Sequence, residues 1–348
     1  MTCLNDHSRR DFLVQCLTGA VALGAGAGLR AAAAEAPATA AKSRVVVARD
    51  AALRGPGSSA DSQHIDSGRL GALLDRAMHS LFEGVSPSAP TRDSRIAAWR
   101  RIAGRNDTVG LKVNTLGGRG ISTNVELAAI VCERLQQAGV PGRNIVVWDR
   151  DTGELERAGF RIAIGGDRVQ CYGTDRVGYE DDLSTWGSVG SRLSKILTRS
   201  SSVLINLPVL KDHDGAGVTI ALKNMYGAIH NPNKYHPNGC DPYVADLNML
   251  PEIRSRLKLA ICDATTALYE GGPGFKPEHS WPCNSLLVSQ DPVALDAAGW
   301  QIIERKRAEK GLKTLEAEKR APRYIATAAD SDHRLGQSDP GRIAVVEV

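Results

Sequence analysis

Aromatic residues are scarce, at 5% of the chain, and no basic stretch is interleaved with them. Without stacking platforms along a cationic groove, nucleic acid is not an expected partner. Charge of one sign is not in excess either. The 43 Lys and Arg against 39 Asp and Glu leave a formal net charge of +4 over 348 residues, too small a field to mark a polyanion binder. Seven cysteines are present but no C-x-x-C pair, so neither a ferredoxin-type iron–sulfur cluster nor a cysteine zinc site is expected. G-x-G-x-x-G after a strand, G-x-x-x-x-G-K-[ST], G-x-S-x-G and H-E-x-x-H are all missing. Ordinary dinucleotide, P-loop, serine-hydrolase and zincin readings lose support with them.

One long apolar run does occur, from Val14 to Leu29, and its flanks decide its meaning. Ser8-Arg9-Arg10-Asp11-Phe12-Leu13 precedes it and the small-residue tract Ala31 to Ala38 follows. A twin-arginine pair, a weakly hydrophobic core and an Ala32-x-Ala34 cleavage site make residues 1–34 a twin-arginine export signal. Glu35 would be the mature start and residues 35–43 a short tether. The expectation is a periplasmic or otherwise exported protein that meets the twin-arginine machinery and keeps no stable membrane span after cleavage. Five cysteines then remain: Cys132, Cys171, Cys240, Cys262 and Cys283. The count is odd, which leaves at least one free thiol, and Cys132 and Cys262 sit in apolar patterns as small buried hydrophobes.

From residue 44 to 348 the chain alternates two periodicities. Val/Ile/Leu runs of strand length stand at Arg44–Ala48, Thr108–Val113, Asn144–Trp148, Ser202–Leu207, Leu257–Cys262, Ser285–Ser289 and Arg342–Val348. Helical spacing covers 65–82, 123–138, 191–200, 241–256, 292–310 and 314–329. Continuous apolar strands alternating with helices predict an α/β fold. Its expected form is a mostly parallel sheet with helices on both faces, in a single elaborated domain or two tightly packed lobes.

Polar residues gather just past these apolar runs. Lys112 and Asn114 follow Val-Gly-Leu, Asp149 follows Val-Val-Trp, and Lys211-Asp-His-Asp214 follows Leu-Pro-Val-Leu. Asp263 and Asp291 follow two further runs. Open parallel sheets bind ligands beyond the carboxyl ends of their strands, so these residues predict one shared crevice. For Asp149 and Asp291 a helix cap or turn is the simpler expectation, and Asp291-Pro292 reads as an N-cap with proline at the first helical position. The densest constellation runs from Lys211 to Gly227 and on to His230 and His236. His213 and His236 are candidate ligands for a transition metal, with a flanking Asp fixing the tautomer. Lys211 and Lys223 would instead neutralise a phosphate or carboxylate, aided by the turn at Gly215–Gly217 if a helix begins there. Gly271-Gly-Pro-Gly274 reads as an anion nest or, more simply, a turn.

Taken together, Leu111-Lys-Val-Asn114, Asn206-Leu-Pro-Val-Leu-Lys-Asp-His213, Val218 to Gly227, Ile261-Cys-Asp-Ala264 and Gln290-Asp-Pro-Val-Ala-Leu-Asp296 resemble the bacterial and archaeal family called domain of unknown function 362. The resemblance spans most of the mature chain and implies a shared fold without naming a reaction. Some relatives carry a ferredoxin-like module; this chain lacks its clustered cysteines.

The expected site therefore holds Lys112, Asn114, Lys211, His213, Lys223, Asn224, His236 and Asp263. A small anionic substrate would be bound by the lysines. His213 would act as general acid/base or metal ligand, tuned near neutrality by a neighbouring Asp, and Lys223 would stabilise developing negative charge. A non-catalytic periplasmic binder of a metal or small ligand, or a maturation partner of another exported protein, is the alternative.

Overall fold

All seven apolar runs form strands, and the period-two alternation of their side chains explains why both faces of the sheet are covered. The computed structural model describes residues 42–54, 65–85 and 89–348. The signal and cleavage site lie outside the described residues. In chain order the elements are β1 (Ser43–Arg49), α1 (Ser67–Glu83), α2 (Arg92–Arg100), β2 (Val109–Val113), α3 (Val125–Ala138), β3 (Ile145–Trp148), α4 (Thr152–Ala158) and β4 (Gln170–Cys171). A hairpin of β5 (Ser184–Trp186) and β6 (Val189–Ser191) leads into α5 (Lys195–Arg199), β7 (Val203–Leu207), β8 (Val209–His213) and β9 (Gly217–Thr219). Then come α6 (Ala221–Asn224), α7 (Tyr243–Met249), α8 (Pro251–Arg254), β10 (Leu257–Leu268), β11 (Ser280–Trp281), β12 (Ser285–Ser289), α9 (Pro292–Glu309), α10 (Tyr324–Ala328) and β13 (Ile343–Glu347).

The main path of the sheet is β13-β1-β12-β10-β7-β2-β3-β4. Every neighbour along it is parallel except β12, which runs antiparallel to both β1 and β10. Val45, Val47, Leu204, Cys262 and Leu287 point to one face and pack with α7 and α9. Val46, Ala48, Ile205, Ile261 and Leu286 point to the other and pack with α1 and α3. Each Val, Ile or Leu among them contributes about 1.5–3 kcal/mol on burial, which is why the runs carry no polar alternation. Among the described residues no helix is long and apolar enough to cross a membrane.

Several helices differ from their sequence expectation, two of them at prolines. The 241–256 helix is broken where Leu250 adopts an extended ψ of 129° ahead of Pro251, as a residue before proline must. Of 314–329 only α10 is helical, starting two residues after Pro322, and of 191–200 only α5. In 92–100 and 152–158, α2 and α4 form without having been expected. Asp291 caps α9 as anticipated, its carboxylate accepting from the amides of Val293 and Ala294 at 2.9 Å.

The largest departure lies at Lys211–His213, expected as a loop beyond a strand. Pro208 ends β7, and the chain resumes as β8, which pairs in parallel with the distal half of β10 and antiparallel with β9. β10 is twelve residues long and outruns β7, so its exposed edge recruits this second strand. No helix begins at Gly215–Gly217; those residues turn β8 into β9.

Candidate functional site

A cavity of about 310 Å³ opens beyond the ends of β2, β3 and β7, between α6 and β8. Parity places its residues. Leu111 and Val113 join the core on the α3 side, so Lys112 points the other way, into the cavity. On β8, Lys211 and His213 share the cavity face, and Asp212 between them points to the opposite side. Lys223 and Asn224 come from α6, whose start is fixed by Asp296: its two carboxylate oxygens accept from the amides of Ala221 at 2.7 Å and Leu222 at 3.1 Å.

Three lysines meet here, all almost wholly buried. Lys112 is neutralised, donating to Asp149 at 2.6 Å and to the carbonyl of Val113 at 2.5 Å. The other Asp149 oxygen accepts from the amide and hydroxyl of Thr115, each at 2.8 Å. Lys211 donates to Asn114 Oδ1 at 2.8 Å, and Asn114 donates to Asn224 Oδ1 at 3.0 Å. Asn224 in turn donates to Asn206 Oδ1 at 2.7 Å. The amides thus form a relay of fixed dipoles linking strand ends to α6. Lys223 Nζ sits 3.2 Å from His236 Nε2 and 3.9 Å from the centre of the Tyr226 ring. Gly227 is required by close approach, since a Cβ there would stand 2.7 Å from both Lys112 Nζ and Asp149 Oδ1.

Among the described residues, no carboxylate pairs with Lys211 or Lys223. Burial pulls Lys211 down to about 7 against the attraction of Asp149, and the ammonium groups of Lys223 and Lys112 add to the fall. Burial likewise pulls Lys223 down to about 8. His213 is pushed down to about 2, first by burial and then by Lys223, His236 and Lys211. Like charges and a low dielectric disfavour each added proton.

The sequence expectations are met unevenly by this arrangement. Lys112, Asn114, Lys211, His213, Lys223, Asn224 and His236 all line the cavity. Asp263 does not. Its neighbours Cys262 and Ala264 face the α9 side, so Asp263 faces α3, where it accepts from the amide of Asn124 at 2.6 Å and from Thr265 at 2.7 and 2.9 Å. It braces the helix start instead. His213 is not tuned near neutrality by a flanking Asp either: Asp212 pairs with Arg320 at 2.6 Å, and Asp214 is exposed. His230 lies elsewhere, against Ser191 and Arg192. Gly272 uses its amide on Asp212 at 3.0 Å, so the Gly271–Gly274 turn presents no free nest there.

Metal ligation by His213 and His236 finds little geometric support. The rings stack at 5.7 Å between centroids with an interplanar angle of 27°, so faces meet, not lone pairs. His213 Nδ1 accepts from the amide of Gly215 at 3.1 Å, and His236 Nδ1 donates to the carbonyl of Pro232 at 3.1 Å. Among the described residues no group of three His, Cys, Asp or Glu side chains is arranged to hold a metal ion. Asp149, placed among the strand-end residues but read more simply as a cap or turn, lines the cavity, and so do Tyr226 and Gly227, which the expected site did not include. Tyr226 and Gly227 stand within the Leu222-Lys-Asn-Met-Tyr-Gly227 segment already singled out.

A mostly parallel α/β sheet carrying a buried, lysine-rich cavity past its strand ends is the class of protein that fold and site define. The chain belongs to the family described as domain of unknown function (DUF362), whose profile matches residues 109–301, more than half of its length. That span contains every lysine of the cavity. A crystal structure of a protein from Thermotoga maritima is similar at a TM-score of 0.37 and 9% identity, over 64% of this chain and 59% of that one. No curated protein matches.

Proposed function

We propose that the cavity binds and acts on a small anion, in a protein exported through the twin-arginine route. The observation that carries this reading is that Lys211 and Lys223 are buried with no carboxylate in contact, while Asp149, which favours charge on Lys211 from a distance, is already bonded to Lys112. A buried ammonium without a carboxylate is costly, and an anionic ligand between the two would supply the missing charge. Asn114 and Asn224 orient the floor of the site, and His213, held neutral, offers a hydrogen bond through Nε2 without adding charge. As an enzyme, the site would stabilise negative charge developing on a substrate, because fixed cations in a dry cavity act more strongly than in water.

Thermal denaturation against sulfate, phosphate, lactate and oxalate, with glycerol as neutral control, tests the binding step. A saturable rise with at least one anion is expected, following RT ln(1 + [L]/Kd), and its loss in Lys211→Met. The affinity should fall as pH rises from 7 to 9, because the two lysines give up their charge over that range. Equal responses to glycerol and all anions would refute the reading. Export is tested by fractionating cells that express the full chain beside an Arg9→Lys/Arg10→Lys variant, which should remain in the cytoplasm.

A further inference from the structure

Lys211 and Lys223 differ in what surrounds their amines. Lys211 is fully enclosed and its Nζ is engaged by Asn114. Lys223 keeps a small exposed fraction, 5%, and its Nζ meets a ring face, a histidine nitrogen and the Cys240 thiol. None of these is an anion: burial keeps the thiol protonated by raising its pKa. His236 donates through Nδ1 to Pro232, so its Nε2 is left with a lone pair aimed at the Lys223 amine. An amine that is desolvated, next to other cations and within reach of a proton acceptor has the features of an imine-forming lysine.

We infer that Lys223 is a carbonyl nucleophile that forms a Schiff base with a small 2-oxo acid, whose carboxylate is received by Lys211. This rests on the anion-site reading above and names its substrate class. In the step, the Lys223 ammonium gives one proton to His236 Nε2, whose affinity for it is lowered by burial and by the Lys223 ammonium so that it holds the proton only briefly, and the freed amine adds to the carbonyl carbon. The carbonyl electron pair moves to oxygen, which takes a proton from the new C–N nitrogen. The resulting hydroxyl takes the proton back from His236 and leaves as water, so ammonium plus carbonyl becomes iminium plus one water, with no oxidant or reductant. The protonated imine then draws electrons from the carbon on its side away from the carboxylate, the chemistry that proton loss and carbon–carbon bond making or breaking at that carbon exploit. At pH 7 a lysine shifted to about 8 is free amine in roughly one molecule in ten, against fewer than one in a thousand for an ordinary lysine.

The full-length protein is incubated with pyruvate and cyanoborohydride, and adducts are located by intact-mass and peptide mass spectrometry. One reduced adduct on Lys223 is expected, saturable in pyruvate and suppressed by excess lactate. Lys223→Arg should abolish it, and Lys211→Met should slow it at least tenfold while leaving Lys223 present. Folding of both variants is checked by circular dichroism, and of Lys223→Arg also by a retained lactate-induced rise in melting temperature. Labelling spread over surface lysines, or an adduct that persists in Lys223→Arg, overturns the inference. No adduct with a saturable lactate shift overturns the imine and leaves the anion site standing; no adduct and no shift with any anion overturns both.

Discussion

Two buried charge clusters lie on opposite sides of β8 and are built on opposite principles. Behind the strand, Arg307 is wholly buried and pairs with Glu270 and Glu318. Arg320 joins Asp212 at 2.6 Å, Glu318 at 3.0 Å and Glu270 at 3.2 Å. Three carboxylates surround two guanidiniums there, so each cation has an anionic partner, and burial lifts the third carboxyl, Asp212, to about 7. In front of the strand Lys112 has Asp149, whereas Lys211 and Lys223 touch only neutral groups and Asp149 reaches Lys211 from a distance. Cations that each touch a carboxylate hold a fold together; buried cations that touch none store electrostatic cost that an anionic ligand relieves.

The comparison breaks most readily at Arg307. Arg307→Met leaves Glu270 and Glu318 to share Arg320 and takes away the donors that serve the carbonyls of Tyr269 and Lys313; it should cost about 3–5 kcal/mol in urea denaturation, with anion binding lost only through unfolding. Asp149→Asn removes the one carboxylate from Lys112 and should cost about 2–3 kcal/mol, partly recovered by added anion. Lys211→Met should leave stability within about 1 kcal/mol of wild type or raise it, because a buried charge that touches no carboxylate is deleted, yet abolish the anion response. A large destabilisation by Lys211→Met would erase the distinction between the two clusters.

A third cluster sharpens the comparison because its balance is conditional. His333 touches Asp246 through Nε2 at 2.9 Å and Asp330 through Nδ1 at 2.8 Å, so it donates to both only as the cation. Asp246 also accepts from the amide and hydroxyl of Ser188 at 2.7 and 2.6 Å. The contacts with Asp330 and Asp246 outweigh burial and raise His333 above 6.5. Its stabilising contribution is therefore fully present below the unfolded value near 6.5 and lost as pH rises through the higher folded value. Melting temperatures from pH 6 to 9 should fall by a small amount that His333→Gln removes. A pH response unchanged in that variant would contradict the assignment.

The sheet was legible because its strands are buried on both faces and so read as unbroken apolar runs. Helix ends at Pro251 and Pro322 were less legible because amphipathic spacing continues across the proline in sequence but not in space. Seven of the eight expected site residues line the cavity since strand-end polarity marks one edge of the sheet. Asp263 shows what that rule omits: position along a strand is visible in sequence, but which face a residue takes depends on register against neighbours. The pairing of Asp212 with Arg320 was hidden for a related reason, the partners standing 108 positions apart.

The alternation of Lys211, Asp212 and His213 also bears on how the chain finds its structure. A slip of one residue in β8 would drive Asp212 into the cationic cavity and thrust Lys211 and His213 against Arg307 and Arg320. The wrong pairing would join like charges on one side and deprive the arginines of a carboxylate on the other. The same three residues that present the site thereby act as a proofreading device for the sheet, rejecting during folding the misregistered strand that apolar side chains alone would tolerate.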